Sequence, residues 1–298
     1  RPGDVEHGGK VIGQRRVIAE HGVAQPIGSV GHPLGGRDPG AQVLGELMHP
    51  LDEERRIAAR ARKHDAGADL AGVSRFQYPP NIRVIRTMCS GRVDPVHVIE
   101  GLKSGFDGVL VFGCHFGDCH YLEGNFHTAR RMKLVEWLLD IAGIGKDRLH
   151  LRWVSAAEGQ MFADYVTELT EITRSLGPLR AESLRLPLAA AQRALNAPQL
   201  RWLLGVDRQL TEKENVYGER IDPSNFQDLL QRCAEREYQK ALLVEALQEG
   251  PRTVRQMAES TGLPVYCVSQ RLNDLERTGQ ADLFKYEGAS PVFTLLTA

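Results

Sequence analysis

Gly108-Val-Leu-Val-Phe-Gly-Cys-His-Phe-Gly-Asp-Cys-His-Tyr121 is the stretch on which the reading of this chain turns. Gly108–Phe112 is a short, uninterrupted apolar run between glycines, the pattern of a strand buried on both faces of a parallel sheet. Two cysteines follow at once, Cys114 and Cys119, each with a histidine after it, His115 and His120. Gly113 and Gly117 permit the turns such a loop needs.

The same order recurs on either side. Asn81–Met88 reads as a strand preceded by Pro79-Pro80 and followed by Cys89. Asp94-Pro95 opens a helix over Val96–Lys103. Thr128–Ala142 has a helical apolar face in Met132, Val135, Leu138, Leu139 and Ile141. Leu149–Val154 is a third strand, and Met161–Leu176 a third helix ending at Gly177-Pro178. Alternating strands and helices call for an α/β fold, here a small parallel sheet flanked by helices. Ligands of such sheets sit beyond the carboxyl ends of the strands. If the first two of these strands are neighbours, Cys89 and Cys114 share that rim, and Cys119 can fold back to join them.

Three thiols at one end of a sheet suit an iron–sulfur or zinc site, because thiolate is the soft ligand both prefer. Spacing leaves two other readings open. One is a Cys114–Cys119 dithiol, although the gap is not that of a thioredoxin motif. The other is a set of small buried hydrophobes. Arg92, Asp94, Asp118, Glu123 and Asn125 surround the thiols as tuning groups or as caps. Ser155 and Glu158 belong to the same rim as site residues, or form the Ser-x-x-Glu start of a helix. Cys233 and Cys267 fall on helices far down the chain and read as buried structural thiols. Free thiols fit a reducing, cytoplasmic setting.

After Pro178 the segment Glu182–Leu204 reads as two short helices broken at Pro187 and Pro198. Tyr238–Gln248, Thr253–Ser260 (N-cap Thr253) and Pro264–Arg277 are three helices, and Ala281–Tyr286 and Val292–Leu296 two strands. That outline is a C-terminal winged-helix-like α+β domain. Its residues 231–298 hold eight Lys+Arg against nine Asp+Glu. Phosphate contacts supply most DNA affinity, so protein docking is favoured over Gln270, Arg271, Asn273 and Arg277 reading DNA.

Charge and composition agree with a globular chain. Of 298 residues, Lys+Arg number 37 and Asp+Glu 38. That balance excludes an electrostatic whole-chain role on nucleic acid or a membrane surface. No apolar run reaches the length of a membrane span, and no secretory leader is expected. No phosphate-cradling glycine loop, serine elbow or zinc-protease helix occurs. The front is different in kind. The first of nineteen aromatic residues is Phe76 and the first of five cysteines is Cys89. The first fifty residues carry eleven Gly and five Pro. Short apolar pieces such as Val11–Ile12 lead nowhere there, and Leu44–Arg62 is a helix candidate interrupted by Pro50. The expected domains are thus an atypical, disordered or mis-framed segment 1–65, an α/β domain 66–178 that carries the three thiols, a helical linker 179–230 and the winged-helix-like domain 231–298.

From Ala66 to Pro178 the chain resembles the delta, or iron-sulfur, subunit family of methyl-viologen-reducing hydrogenases. The resemblance rests on Gly67-Ala-Asp-Leu-Ala-Gly-Val-Ser-Arg-Phe-Gln-Tyr-Pro-Pro, Arg86-Thr-Met-Cys-Ser-Gly-Arg-Val-Asp-Pro, the stretch Gly108 to Asn125, and Val154-Ser-Ala-Ala-Glu-Gly. It implies a carrier of a 2Fe-2S cluster, with Cys89, Cys114 and Cys119 on the family's cysteine positions. It implies relay of electrons between a hydrogenase or formate dehydrogenase and the flavin subunit of a heterodisulfide reductase-like complex of anaerobic metabolism, without substrate chemistry of its own. Two other roles stay open: a redox-responsive winged-helix regulator, and a structural adaptor without a cluster. The family pattern also places a strand and a two-cysteine motif before the Ala-Asp-Leu-Ala-Gly segment. This chain reads Ile57-Ala-Ala-Arg-Ala-Arg-Lys-His-Asp there, with no cysteine and no strand-like run, so one strand fewer is expected. A cluster normally takes four protein ligands, and the fourth is open; His115 and His120 are candidates the resemblance does not supply. The abrupt return of family-like sequence at Ala66 raises the expectation of a shifted reading frame or wrong start upstream, which resequencing of that region decides.

Overall fold

The computed structural model describes residues 57–61 and 65–296, with side chains from residue 67 on. Val11–Ile12 and the first part of the 44–62 helix candidate lie outside the described residues. Its end does not: Ile57–Ala61 is a β-strand, β1. The sheet therefore gains the strand that the sequence reading denied it. It runs parallel between two others, β2 (Ile82–Arg86) and β3 (Gly108–Gly113), with Ile57 opposite Ile82 on one side and Gly108 on the other. Alanine and arginine are weak strand formers. A chain flanked by strands on both edges nevertheless satisfies its backbone N–H and C=O groups there, and pairing overrides propensity.

The sheet has the order β2-β1-β3-β4, all parallel, β4 being Leu149–Trp153. Helices α1 (Asp65–Val73), α2 (Pro95–Lys103) and α3 (Gly124–Ile141) make the crossovers, and α4 (Gly159–Leu176) follows β4. Alternation along β3 serves both faces. Val109 and Val111 join α2 and α3 residues such as Ile99, Leu102, Met132 and Leu138 in one core. Leu110 and Phe112 join Ala71 of α1 and Phe162, Val166 and Leu169 of α4 in the other. Leaving β1 and β3, the chain departs toward opposite ends of the sheet, which makes their carboxyl ends a switch point. The strands before Cys89 and Cys114 are thus not neighbours, the condition under which the sequence reading placed the two thiols on one rim. They stand either side of β1 and still open on one rim.

Residues 179–248 form helices that pack on one face of the sheet domain. They are α5 (Arg185–Leu195), α6 (Pro198–Glu212) and α7 (Pro223–Gln248). Pro187 does not break α5. It lies in the first turn, where a missing N–H costs nothing, and Pro198 opens α6 for the same reason. Leu188, Ala191, Leu195, Leu203 and Phe226 extend the α2/α3 core. The helix expected at 238–248 is the last part of the 26-residue α7. Leu242 belongs to that core, and its neighbour Leu243 to the next one, with Val268, Leu272 and Phe293. Around this second core lie β5 (Arg252–Thr253), α8 (Val254–Thr261), α9 (Val265–Arg277), β6 (Ala281–Glu287) and β7 (Ser290–Leu295). The strands form an antiparallel sheet in the order β5-β7-β6, so one short strand joins the two expected. Thr253 caps α8 through a capping box with Gln256, as its position suggested. Among the described residues, no helix is long and apolar enough to cross a membrane.

Candidate metal centre

Cys89, Cys114 and Cys119 are buried together at the carboxyl rim of the sheet. Cys89 follows β2 and starts a short 3-10 turn over Ser90–Arg92; its sulfur accepts the Gly91 N–H at 3.4 Å. Cys114 is the first residue after β3. Cys119 returns across the rim on a loop turned by Gly117 (φ 93°) and closed by the Asp118 N–H on the His115 carbonyl. Its sulfur lies 3.8 Å from that of Cys89. Metal–sulfur bonds of about 2.3 Å at a tetrahedral angle put two sulfurs about 3.8 Å apart, so this pair is spaced for one metal centre.

Glycines make the niche. A Cβ on Gly124 would stand 2.3 Å from the Cys89 sulfur and 3.2 Å from the Cys119 sulfur. A Cβ on Gly91 would stand 2.8 Å from the Gly124 Cα. Polar groups fix the walls. Asn125, fully buried, donates from Nδ2 to the carbonyls of Cys114 (3.1 Å) and His115 (2.8 Å). Thr128 Oγ1 donates to the Gly124 carbonyl (2.7 Å) and is hydrogen-bonded to Ser90 Oγ (2.9 Å). Arg131 donates to the Gly91 carbonyl (2.8 Å). Sequence reasoning named Asn125 but missed Gly91, Gly124 and Arg131. Neither glycine stands in a recognisable motif, and Arg131 lies 42 residues from Cys89 in an ordinary helix.

The three thiols differ electrically. Burial pushes the Cys114 thiol up to about 11, helped by the adjacent Cys119. Burial also raises Cys89. On Cys119 burial acts upward too, but the N–H groups of Tyr121 and Asn125, the Cys89 thiol and the Gly124 N–H together outweigh it and hold the thiol below its ordinary value. Two of those N–H groups belong to the free first turn of α3, where negative charge is favoured. Beside the thiols a cleft of about 570 Å³ opens between Met88, Arg92, Tyr121 and His127.

The other candidates lie elsewhere. His115 Nε2 stands 2.8 Å from Glu158 Oε2. That same oxygen accepts the Ser155 N–H at 2.6 Å, while α4 begins only after Glu158, whose side chain makes no cap to it, so Ser155 is not the N-cap of that helix. The Ser155 N–H first, and His115 second, hold the Glu158 carboxyl below its usual range. His120 is exposed, edge-on to Tyr121. Arg92 is exposed at the cleft. Cys233 is buried in the α7 core, and Cys267 donates to Gln239 Oε1 at 3.1 Å. Among the described residues, no three His, Cys, Asp or Glu side chains converge on a point as a single ion requires. A cluster spreads its ligands over more than one iron, so its thiolates need not so converge. The donor set fits a cluster in kind, with soft sulfurs and N–H groups aimed at them, and is one ligand short of four.

Residues 60–177 match the family described as methyl-viologen-reducing hydrogenase, delta subunit. The iron-sulfur subunit of the F420-non-reducing hydrogenase of Archaeoglobus profundus is 50% identical over 115 residues, 39% of this chain and 84% of that protein. The chain belongs to the methyl-viologen-reducing hydrogenase delta subunit family. The vhc iron-sulfur subunit of the F420-non-reducing hydrogenase of Methanococcus voltae is 46% identical over 112 residues, 38% of this chain and 78% of its own length. The family segment also occurs inside a larger protein. One subunit of the ferredoxin:CoB-CoM heterodisulfide reductase of Methanosarcina mazei is 48% identical over 120 residues, 40% of this chain but 15% of that protein. The family match contains all three rim cysteines and reaches back into β1, six residues beyond the start of the resemblance read at Ala66.

Proposed function

We propose that the chain is an iron–sulfur electron-transfer subunit, with Cys89, Cys114 and Cys119 holding a 2Fe-2S cluster. The observation that carries this reading is the meeting of three buried sulfurs at the switch-point rim of a family domain. The relatives are named as iron-sulfur subunits of hydrogenases and as part of a heterodisulfide reductase. Those names support an association with a hydrogenase and a heterodisulfide reductase; a formate dehydrogenase as the alternative donor and a flavin subunit as the acceptor belong to the proposal alone. A bound cluster would supply one-electron redox chemistry. The chain's own part is placement. Asn125, Thr128 and Arg131 hold the loops, the first turn of α3 favours negative charge at Cys119, and burial keeps water off the sulfurs. Iron and sulfide analysis with EPR on anaerobically purified protein tests the reading. About two irons and two sulfides per chain, lost in Cys89→Ser, Cys114→Ser and Cys119→Ser, support it; protein purified without iron overturns it.

A second reading, a redox-responsive winged-helix regulator, draws on α7, which carries one side chain after another into the two cores. Cluster-dependent, sequence-specific DNA binding would favour it over the first.

A further inference from the structure

The cysteine loop is held from outside the family segment. Helix α6 lies beyond residue 177, where the match ends. Its Arg208 nevertheless reaches both sides of the loop. The guanidinium lies 3.0 Å from Glu123 Oε2 and 4.8 Å from the centre of the Phe126 ring. Glu123 immediately precedes α3, and its carboxylate makes no cap to that helix. The N–H groups of Gly124 and Asn125 act on the Cys119 sulfur instead. Phe126 packs at 4.8 Å on Phe116, midway between Cys114 and Cys119, and Phe116 packs at 4.8 Å on Trp153 at the end of β4. One cation is thus seated on the start of the helix that faces Cys119 and on the aromatic file that backs the loop.

Arg208 is itself fixed. Its side chain is 18% exposed and lies 2.6 Å from Glu212 one turn on. Arg130 of α3 meets Asp207 of α6 at 3.0 Å, and that carboxylate is 4% exposed. The two helices are therefore locked at the turn where Arg208 acts.

We propose that Arg208 is a positioning residue for the cysteine site, fixing Cys119 against Cys89 through Glu123 and Phe126. The inference rests on the reading that the three thiols hold a metal centre. The ion pair by itself contributes little, since Glu123 is 59% exposed. Stacking on Phe126 and the tie to the start of α3 are what removal of the side chain abolishes.

The test uses the full chain, cluster-free and reduced, titrated with Co²⁺; thiolate-to-cobalt charge-transfer absorption reports binding to the cysteines. Arg208→Ala should weaken Co²⁺ binding about tenfold, the scale seen when a group supporting metal ligands is lost. Arg208→Lys keeps the charge but not the planar stack, so it should fall between alanine and wild type. Glu123→Gln should weaken binding about twofold, as fits an exposed pair. It alters only a well-exposed side chain, so it keeps the inference testable should Arg208→Ala fail to fold. In the cluster-loaded protein, Arg208→Ala should shift the EPR g-values and reduction potential while far-UV circular dichroism stays unchanged. Cobalt affinity, EPR and potential equal to wild type in both variants overturn the inference alone. Wild-type protein that neither binds Co²⁺ nor takes up iron and sulfide on anaerobic reconstitution overturns the reading of the cysteines, and this inference with it; if only the cluster is taken up, the EPR and potential of Arg208→Ala decide the inference.

Discussion

The Cα of Gly124 faces the Cys89 sulfur so closely that a methyl group added there would stand 2.3 Å from it. The methyl group would also stand 3.2 Å from the Cys119 sulfur and 3.7 Å from the Gly91 Cα, so the space around it is filled on more than one side. Gly124→Ala should therefore displace the Cys89 sulfur and empty the site. Iron per chain should fall several-fold while the far-UV spectrum holds. Gly72→Ala is the control: it lies in α1 with nothing within 4 Å of the added carbon, so iron content should not change. Equal iron in wild type and Gly124→Ala would show that the metal sits elsewhere.

Asp94 closes the start of α2. Its Oδ1 accepts the Val96 N–H at 3.0 Å, His97 Nδ1 accepts the Asp94 N–H at 3.2 Å, and Arg201 of α6 lies 2.7 Å from the carboxylate. Burial raises the Asp94 carboxyl, but Arg201 and the Val96 N–H together bring it below the ordinary 3.8. A depressed folded-state pKa adds stability that is fully present above the unfolded value and is lost as pH falls through the folded one. Asp94→Ala should cost about 1 kcal/mol at pH 7, the usual worth of an N-cap. Urea unfolding at pH 7 and at pH 3 should show that deficit shrinking in acid. A deficit that is constant across the range would assign the effect to packing alone.

The parts of this fold that were legible are those where local pattern and tertiary role coincide. Gly108–Gly113 is apolar throughout because both its faces are covered, and Asp94-Pro95 and Thr253 announce their helices by their own caps. Ile57–Ala61 was not legible, since only Ile57 in Ile-Ala-Ala-Arg-Ala prefers a strand; its place is set by the partners on either side. At the site, sulfur chemistry and strand ends sufficed to bring Cys89, Cys114 and Cys119 to one rim. The surrounding fit was out of reach. Gly91 and Gly124 matter for an absent Cβ, and Arg208 for a contact across 85 residues of chain, and neither leaves a trace in composition or spacing.

Helix α7 predicts coupled unfolding. Leu242 and Leu243 are adjacent and buried in different cores, so one helix cannot melt at its end without disturbing both. Leu243→Ala, at a fully buried position, should cost roughly 2–5 kcal/mol. The loss should appear in the sheet domain as well as in the C-terminal unit. Tryptophan fluorescence reports the sheet domain and α6 but not the C-terminal unit, because Trp137 and Trp153 lie in the former, Trp202 in α6, and none beyond α7. A fluorescence transition unmoved by Leu243→Ala would mark the two cores as independent.

The C-terminal unit should not bind DNA tightly. Helix α9 presents exposed Gln270, Asn273 and Arg277, a reading surface by shape alone. Phosphate neutralisation needs free cations, however, and those of residues 231–298 are largely engaged. Arg271 lies 3.2 Å from Asp274, Lys285 2.8 Å from Glu287, Arg252 2.5 Å from Glu249 and Lys240 2.8 Å from Glu237. Among the large apolar side chains that this unit leaves exposed, the three most exposed are aromatic, Tyr266, Tyr286 and Phe284, with Val265, Leu283 and Leu296 exposed as well. Aromatic rings without surrounding positive charge favour a protein surface over a phosphate backbone. A random duplex should therefore show no retardation at about 1 µM protein in low salt, at the tight end of ordinary non-specific binding. A tight complex that dissolves as salt is raised would reverse the argument, and would make the shared helix α7 the route by which the cysteine site reaches DNA.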